Sequence, residues 1–415
     1  MDIELHDFSG HPFQADLSRS LAGRGHTVLH TSAEQYVGGK GHLDLQPGDS
    51  PTLSFRGISL DLPFFKYSPW ARLRFERSYA RAWIAELRKR SPQVIIACNL
   101  PLVSMFLFAR FARRRGLPYV MWHQDIYSNG LSDELHRRLP KPLARLGSAV
   151  FRRMEAYCAR NAEHVVAIGP AFTEVYPSWR IPAERVSVIP NWAPLDKVFP
   201  VARTNQRSSD LFDDDPGLRL VYAGTLGRKH NPDLLADLMR ALADRDVPAS
   251  LAVVSEGEGA DLLADRFETE DLPARVLPFQ PAEDLPAVLS SADVLVTLLE
   301  PDATRFSIPS KVLSYMAAGR PILGLMPEDN PAAQDIKDSG GLVVPPTNDG
   351  ARSALDWLAA LATDPGRVGD IGRRTRSTAE AKFDIVQVTD QFVTILADAA
   401  GTPADSTPRS SGIAA

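Results

Sequence analysis

A chain of 415 residues is too long for one small core and predicts two or three domains. Its 44% hydrophobic and 23% charged residues are ordinary for a globular protein, and no apolar run reaches the roughly 20 residues that span a bilayer. The net charge of −5 hides an asymmetry: residues 1–200 carry 26 Lys+Arg against 18 Asp+Glu (+8), while 201–415 carry 20 against 33 (−13), which predicts two domains facing different partners.

The start, Met1-Asp2-Ile3-Glu4, is acidic and leads into a strand, so it does not read as a secretory signal. Apolar runs at 28–30, 94–97, 119–122, 164–168 and 186–189 read as buried strands. Helical patterns at 14–24, 70–90, 102–115, 143–161 and 171–178 separate them. Within 66–90, eight Lys/Arg face only Glu76 and Glu86, and Phe75, Tyr79 and Trp83 form an apolar stripe. That pattern predicts an amphipathic helix packed on a sheet, with a second reading as a membrane-surface helix drawn to anionic lipid. Cys98 and Cys158 are too few for a disulfide framework or a four-cysteine zinc site and are expected as buried thiols in a reducing cytoplasm.

Residues 194–217 are polar and turn-rich, which predicts a linker. A second strand series follows at 218–222, 250–254, 275–277, 294–296, 321–323 and 341–344, with helices at 231–244, 258–267, 283–290, 310–318 and 350–363. Two successive runs of β-α units imply two doubly wound parallel-sheet domains, with ligands beyond the carboxyl ends of the strands in the cleft between them. The expected division is 1–195, a linker at 196–217, a second domain at 218–380, a helix at 381–398 folding back on the first domain, and a disordered tail at 399–415.

Four segments fall where such a site has its walls. Ser307-Ile308-Pro309-Ser310-Lys311 reads as the abrupt start of a helix, with Ser307 as N-cap, Pro309 in the first turn and Gly319 at the left-handed end. Free N–H groups and a positive dipole end there suit a phosphate. After the first strand of the second domain, Gly224 and Thr225 allow close backbone approach, and Arg228 and Lys229 offer cations for a diphosphate. Glu256 lies in the glycine turn after the next strand. In the first domain, His123 and Asp125 form a polar strand end amid apolar neighbours, with a loop-capping role as the plainer reading.

Pro190-Asn191-Trp192, the Gly224-to-Arg228 loop, Ser255 to Gly259, Leu285 to Asp293, and Ile308-Pro309-Ser310-Lys311 through Gly319-Arg320-Pro321 occur in an order and spacing that resemble glycosyltransferase family 4. These are retaining enzymes of GT-B architecture, and the likeness is to the branch that builds bacterial cell-surface polysaccharides. The resemblance implies sugar transfer from a nucleotide diphosphate-sugar, UDP by default, to a saccharide or polyprenyl-diphosphate-linked acceptor. It implies no metal, no other cofactor and no nucleic acid. It places diphosphate neutralisation on Arg228, Lys229 and the backbone around Ser307–Ser310, and acceptor or sugar orientation on His123 or Asp125. Lys311 joins the substrate-binding set, with a capping or packing role weighed beside it. The family's two glutamates correspond here to Phe306 and Ser314, and its first-loop glycine pair to Gly10 and His11. Those replacements keep open a catalytically silent nucleotide-sugar-binding protein. The expected location is the cytoplasm, at the inner membrane face for a membrane-borne acceptor.

Overall fold

The computed structural model describes residues 1–36, 40–62, 68–213, 216–226, 231–300, 306 and 309–402. It divides into two compact units, Met1–Asn191 with Ile385–Ala415, and Trp192–Asp384.

The first unit is built on seven parallel strands: β1 (Asp2–Asp7), β2 (Thr27–Ala33), β3 (Leu53–Ile58), β4 (Val94–Cys98), β5 (Tyr119–His123), β6 (His164–Ala167) and β7 (Val186–Val188), in the order β3-β2-β1-β4-β5-β6-β7. Every residue of β4 and β5 is buried, which is why both read as unbroken apolar runs. The connecting helices are α1 (Pro12–Gly23), α2 (Pro69–Lys89), α3 (Leu102–Arg115), α4 (Tyr127–Arg138) and α5 (Lys141–Asn161). From β1 the chain winds toward β2, but from β4 it winds toward β5 and β6. Right-handed crossovers therefore put α1 on one face of the sheet and α3 and α5 on the other. Helices α2 and α3 pack together, as do α3 and α5.

Helix α2 buries Phe75, Tyr79, Trp83 and Leu87 against the sheet and turns Arg74, Arg77 and Arg81 outward, with Trp70 83% exposed at its start. Residues 171–178, expected as one helix, form two 3-10 turns, Pro170–Glu174 and Tyr176–Trp179. Pro177 lacks the N–H that a continuous α-helix needs there. Cys98 and Cys158 are buried free thiols.

The second unit carries α6 (Ser208–Phe212), β8 (Leu218–Ala223), α7 (Asp233–Ala243), β9 (Ala249–Val254), α8 (Glu258–Thr269), β10 (Ala274–Leu277), α9 (Leu285–Ser290), β11 (Val294–Leu298), α10 (Ser310–Ala317), β12 (Ile322–Leu325), α11 (Pro331–Asp338), β13 (Leu342–Val344), α12 (Asn348–Ser353), α13 (Leu355–Thr363) and α14 (Pro365–Lys382). Its parallel sheet runs β10-β9-β8-β11-β12-β13. The helix expected over 350–363 is broken at Ala354, whose N–H bonds Ala351 in a three-residue step.

The segment read as a linker is packed into this unit. Arg203 grips both carboxylate oxygens of Asp293 at 2.7 and 2.9 Å, Asn205 bonds Ala287 and Ser291, and α6 buries Leu211 and Phe212. Polar composition misled the reading, because these polar groups bond inward. Helix α15 (Ile385–Ala399) belongs to the first unit, where it packs on α1 and β5.

Candidate functional site

In each sheet the strand order reverses at one place, between β1 and β4 and between β8 and β11. In doubly wound sheets the crevice at the carboxyl ends of such strands is where ligands sit.

In the second unit that place is built from the end of β8 and the start of α10. Gly224 has φ 139°, a conformation glycine alone adopts freely, and a Cβ there would stand 3.0 Å from the ammonium of Lys311. The turn is pinned by two tyrosines. Tyr315 Oη accepts from the Ala223 N–H at 2.8 Å and donates to its carbonyl at 3.0 Å. Tyr222 Oη donates to the Thr225 carbonyl at 2.9 Å and accepts from Lys311 Nζ at 2.6 Å. Lys311 Nζ also lies 3.9 Å from the Tyr222 ring centroid. Burial lowers its ammonium from an ordinary 10.5 to about 8, and among the described residues no carboxylate pairs with it. A desolvated cation beside a glycine turn, with no counter-ion among the described residues, is arranged to receive an anion. On the neighbouring strand's end, the Ser255 hydroxyl is buried without a hydrogen-bond partner among the described residues.

Several expected residues take other places. Helix α10 begins at Ser310, with Pro309 as its extended N-cap, so proline stands one position outside the first turn. Gly319, φ 63°, ends the helix as expected. Thr225 is exposed, while Ser314 and Phe306 are half-buried. Glu256 is exposed and accepts from its own unit's Phe279 N–H at 3.1 Å, which makes it a loop brace. Arg228, Lys229, Ser307 and Ile308 lie outside the described residues.

In the first unit, β1 ends in Asp7. This buried carboxylate accepts from the backbone N–H groups of Ser9 and His11 at 3.2 and 2.6 Å and from Asn99 Nδ2 at 2.8 Å. Burial raises its carboxyl to about 6. Gly10 bends the loop at φ 70°, and His11 caps α1 ahead of Pro12. Asn99, at the end of β4, is itself left-handed at φ 53°. Asp125 is solvent-accessible just beyond β5; partial desolvation raises its carboxyl, with His123 and, more weakly, His11 pulling it down and Glu155 adding to the rise. Asp7 thus ties the Gly10–His11 loop to Asn99 at the carboxyl ends of β1 and β4, and neither Asp7 nor Asn99 was singled out by the sequence.

His123 does not reach that opening. It is 1% exposed, sharing hydrogen bonds with Tyr176 Oη through Nδ1 and with Glu155 Oε1 through Nε2, both 3.1 Å. The cavity it lines holds about 10 Å³, room for one water and no sugar. Burial alone raises the Glu155 carboxyl, but bonds from His123 and Ser128 hold it below its ordinary range. That carboxylate also accepts from the N–H groups of Tyr127 and Ser128, closing the start of α4. His123 is therefore enclosed behind the Asp125 loop, bonded to Tyr176 and Glu155, and does not present its ring where the expected orienting role would need it.

Two parallel-sheet α/β units of seven and six strands, with switch-point crevices, define the GT-B fold. The chain belongs to the GT-B glycosyltransferases, matching the model of a glycosyl transferase 4-like domain over residues 11–192 and that of glycosyl transferases group 1 over 217–363. Among curated proteins it is similar to the probable glycosyltransferase WbjE of Pseudomonas aeruginosa. The two are 22% identical over 274 residues, which cover 65% of this chain and 66% of that one, just under two-thirds of its length. Among solved structures, sucrose-phosphate synthase of Thermosynechococcus elongatus is 16% identical at a TM-score of 0.70, covering 95% of this chain and 98% of that one. Anabaena Alr3699/HepE in complex with UDP is 15% identical at 0.68, covering 96% and 100%.

Proposed function

We propose that the protein transfers a sugar, with retention at the anomeric carbon, from a nucleotide diphosphate-sugar to a saccharide or lipid-linked acceptor in bacterial surface polysaccharide or glycoconjugate synthesis. The second unit holds the donor, UDP-linked by default. The observation that carries this reading is the half-buried Lys311 ammonium beside the Gly224 turn, which pairs with no carboxylate among the described residues. Support also comes from a neighbour of the same fold, HepE, which binds UDP and UDP-glucose.

The diphosphate lies against Lys311 and the Gly224 backbone, with Arg228 and Lys229 assigned to it through the family likeness. As the anomeric C–O bond breaks, the diphosphate leaves with the electron pair, and fixed cations meet the charge that develops. The acceptor hydroxyl forms its bond on the face just vacated and passes its proton to a donor phosphate oxygen. No protein base is needed for that transfer. In the first unit, Asp125, with His11 nearby, orients the acceptor.

The test is a thermal-shift panel of UDP-, GDP-, ADP- and TDP-sugars on the wild type, Arg228→Ala and Lys311→Met. One nucleotide class should stabilise the wild type, with the shift reduced in both variants. No shift with any nucleotide would refute the reading. Phe306 and Ser314, standing where the family has carboxylates, favour a second reading as a silent nucleotide-sugar binder. That reading predicts the same shift with no release of nucleoside diphosphate from any lipid-linked or saccharide acceptor.

A further inference from the structure

Helix α5 exposes an apolar stripe flanked by basic residues, Arg145 and Arg152 among them. Leu143, Leu146 and Val150 are 58%, 63% and 44% exposed. With Arg153 and Tyr157 they recur every three or four residues, so they share one face over about 21 Å of helix. The stripe ends at an open groove of about 440 Å³ between α5 and α3, lined by Phe106, Arg110, Arg113, Arg114 and Tyr157. Its floor is aromatic: the Phe106 and Tyr157 rings meet edge to face at 5.2 Å, and the Arg110 guanidinium lies 5.7 Å from the Phe106 centroid. Arg110, Arg113, Arg114 and Arg153 pair with no carboxylate among the described residues, although Arg113 reaches the Tyr157 hydroxyl at 3.5 Å. Helix α3 contains no acidic residue, and the one in α5, Glu155, is buried.

Water-facing helices do not ordinarily align large aliphatic side chains beside unpaired arginines. A soluble anion would satisfy the arginines and leave the leucines wet. An apolar partner would cover the leucines and leave the arginines unmatched. A bilayer surface with anionic headgroups matches both, with acyl boundary for the stripe and phosphate for the groove.

We propose that the outer face of α5, with the α3 arginines, is the surface by which this protein docks on an anionic membrane. The sequence alone pointed to α2 for such contact. Helix α2 flanks α3 with a basic outer face, but the large apolar residue it exposes is Trp70. Docking spans nothing: no helix among the described residues is long and apolar enough to cross a membrane. The proposal is independent of sugar transfer, since no nucleotide or acceptor enters it.

The test is co-sedimentation of the full-length chain with vesicles of 3:1 phosphatidylcholine:phosphatidylglycerol or of phosphatidylcholine alone, at low and high salt, without nucleotide. The wild type should bind the anionic vesicles, and salt should weaken that binding. Leu143→Ser/Leu146→Ser/Val150→Ser should lower the partition coefficient at least tenfold. Arg110→Ser/Arg113→Ser/Arg114→Ser should lower it by roughly a hundredfold and flatten the salt dependence. All of these residues are solvent-facing, and unchanged melting of the variants would show that the fold is intact. Three outcomes would each overturn the proposal. One is absence of wild-type binding, and another is binding lost only in Arg74→Ser/Arg77→Ser/Arg81→Ser on α2. The third is a solution dimer dissolved by the triple-serine change while vesicle binding persists, which would make this face an interface between copies.

Discussion

At the scale of single residues, Lys311 carries a cost as well as a use. Its folded value of about 8 lies below the ordinary 10.5. Whatever stability the neutral form contributes is therefore present above about 10.5 and lost as pH falls through about 8. At pH 7 the fold holds a charged ammonium in a place that disfavours it. Lys311→Met should then raise stability at pH 7 by about 1–2 kcal/mol, the desolvation cost removed less the bond and ring contact to Tyr222. Calorimetry at pH 7 checks this. The same variant should bind nucleotide more weakly, and wild-type affinity should decline above pH 8 as the lysine loses its proton. A melting temperature unchanged at pH 7, or affinity flat from pH 7 to 9.5, would sink the assignment. None of this environment is legible in the sequence, because the ring that holds Lys311 lies 89 residues away on another strand. The glycine turn is legible, since Gly224 sits directly after an apolar strand. Asp7 escaped notice because an acid in an N-terminal strand gives no sign that two N–H groups and an asparagine converge on it.

At the scale of elements, the packing of α10 on α14 depends on two glycines. Gly319 ends α10 in a left-handed turn, and a Cβ on Gly372 would stand 2.4 Å from the Gly319 carbonyl oxygen. One turn further along α14, Arg376 donates to the Ala317 carbonyl at 2.7 Å, satisfying the helix end. Gly372→Ala should cost about 1–3 kcal/mol through this clash, despite the better helix propensity of alanine. Gly369→Ala on the same helix meets only the Arg373 guanidinium, at 3.5 Å, and should stabilise by a few tenths to about 1 kcal/mol. Denaturant unfolding of the pair separates steric from propensity effects, and equal changes would refute the contact. The buried strands β4, β5, β9 and β11 are legible as apolar runs because both their faces are covered. Strand β3 is not, since it lies at a sheet edge and carries Arg56 and Gly57 between its apolar ends. Helices α4 and α14 were missed for a related reason: they bury few side chains, and their composition reads as loop.

At the scale of the molecule, the basic first half and acidic second half correspond to separately packed units, and much of the positive charge is spent on the outer faces of α2, α3 and α5. The first unit is completed by the end of the chain. Phe392 of α15 is fully buried, its ring 5.0 Å from that of Trp122 on β5, and Thr389 donates to Ser20 of α1 at 2.8 Å. Phe392→Ala should cost the first unit about 3–5 kcal/mol. Hydrogen exchange should then quicken in β1, β4 and β5 and stay unchanged in β8 and β9. Equal protection in both sheets would show that α15 is dispensable.

This return of the chain has a consequence for synthesis. The whole second unit, Trp192–Asp384, is translated between the body of the first unit and the helix that finishes it. At about 5–20 residues per second, that interval is roughly 10–40 s. Throughout it, the sheet face that α15 will cover lies open on a nascent chain, and the second unit, later to emerge, has all of its own elements first.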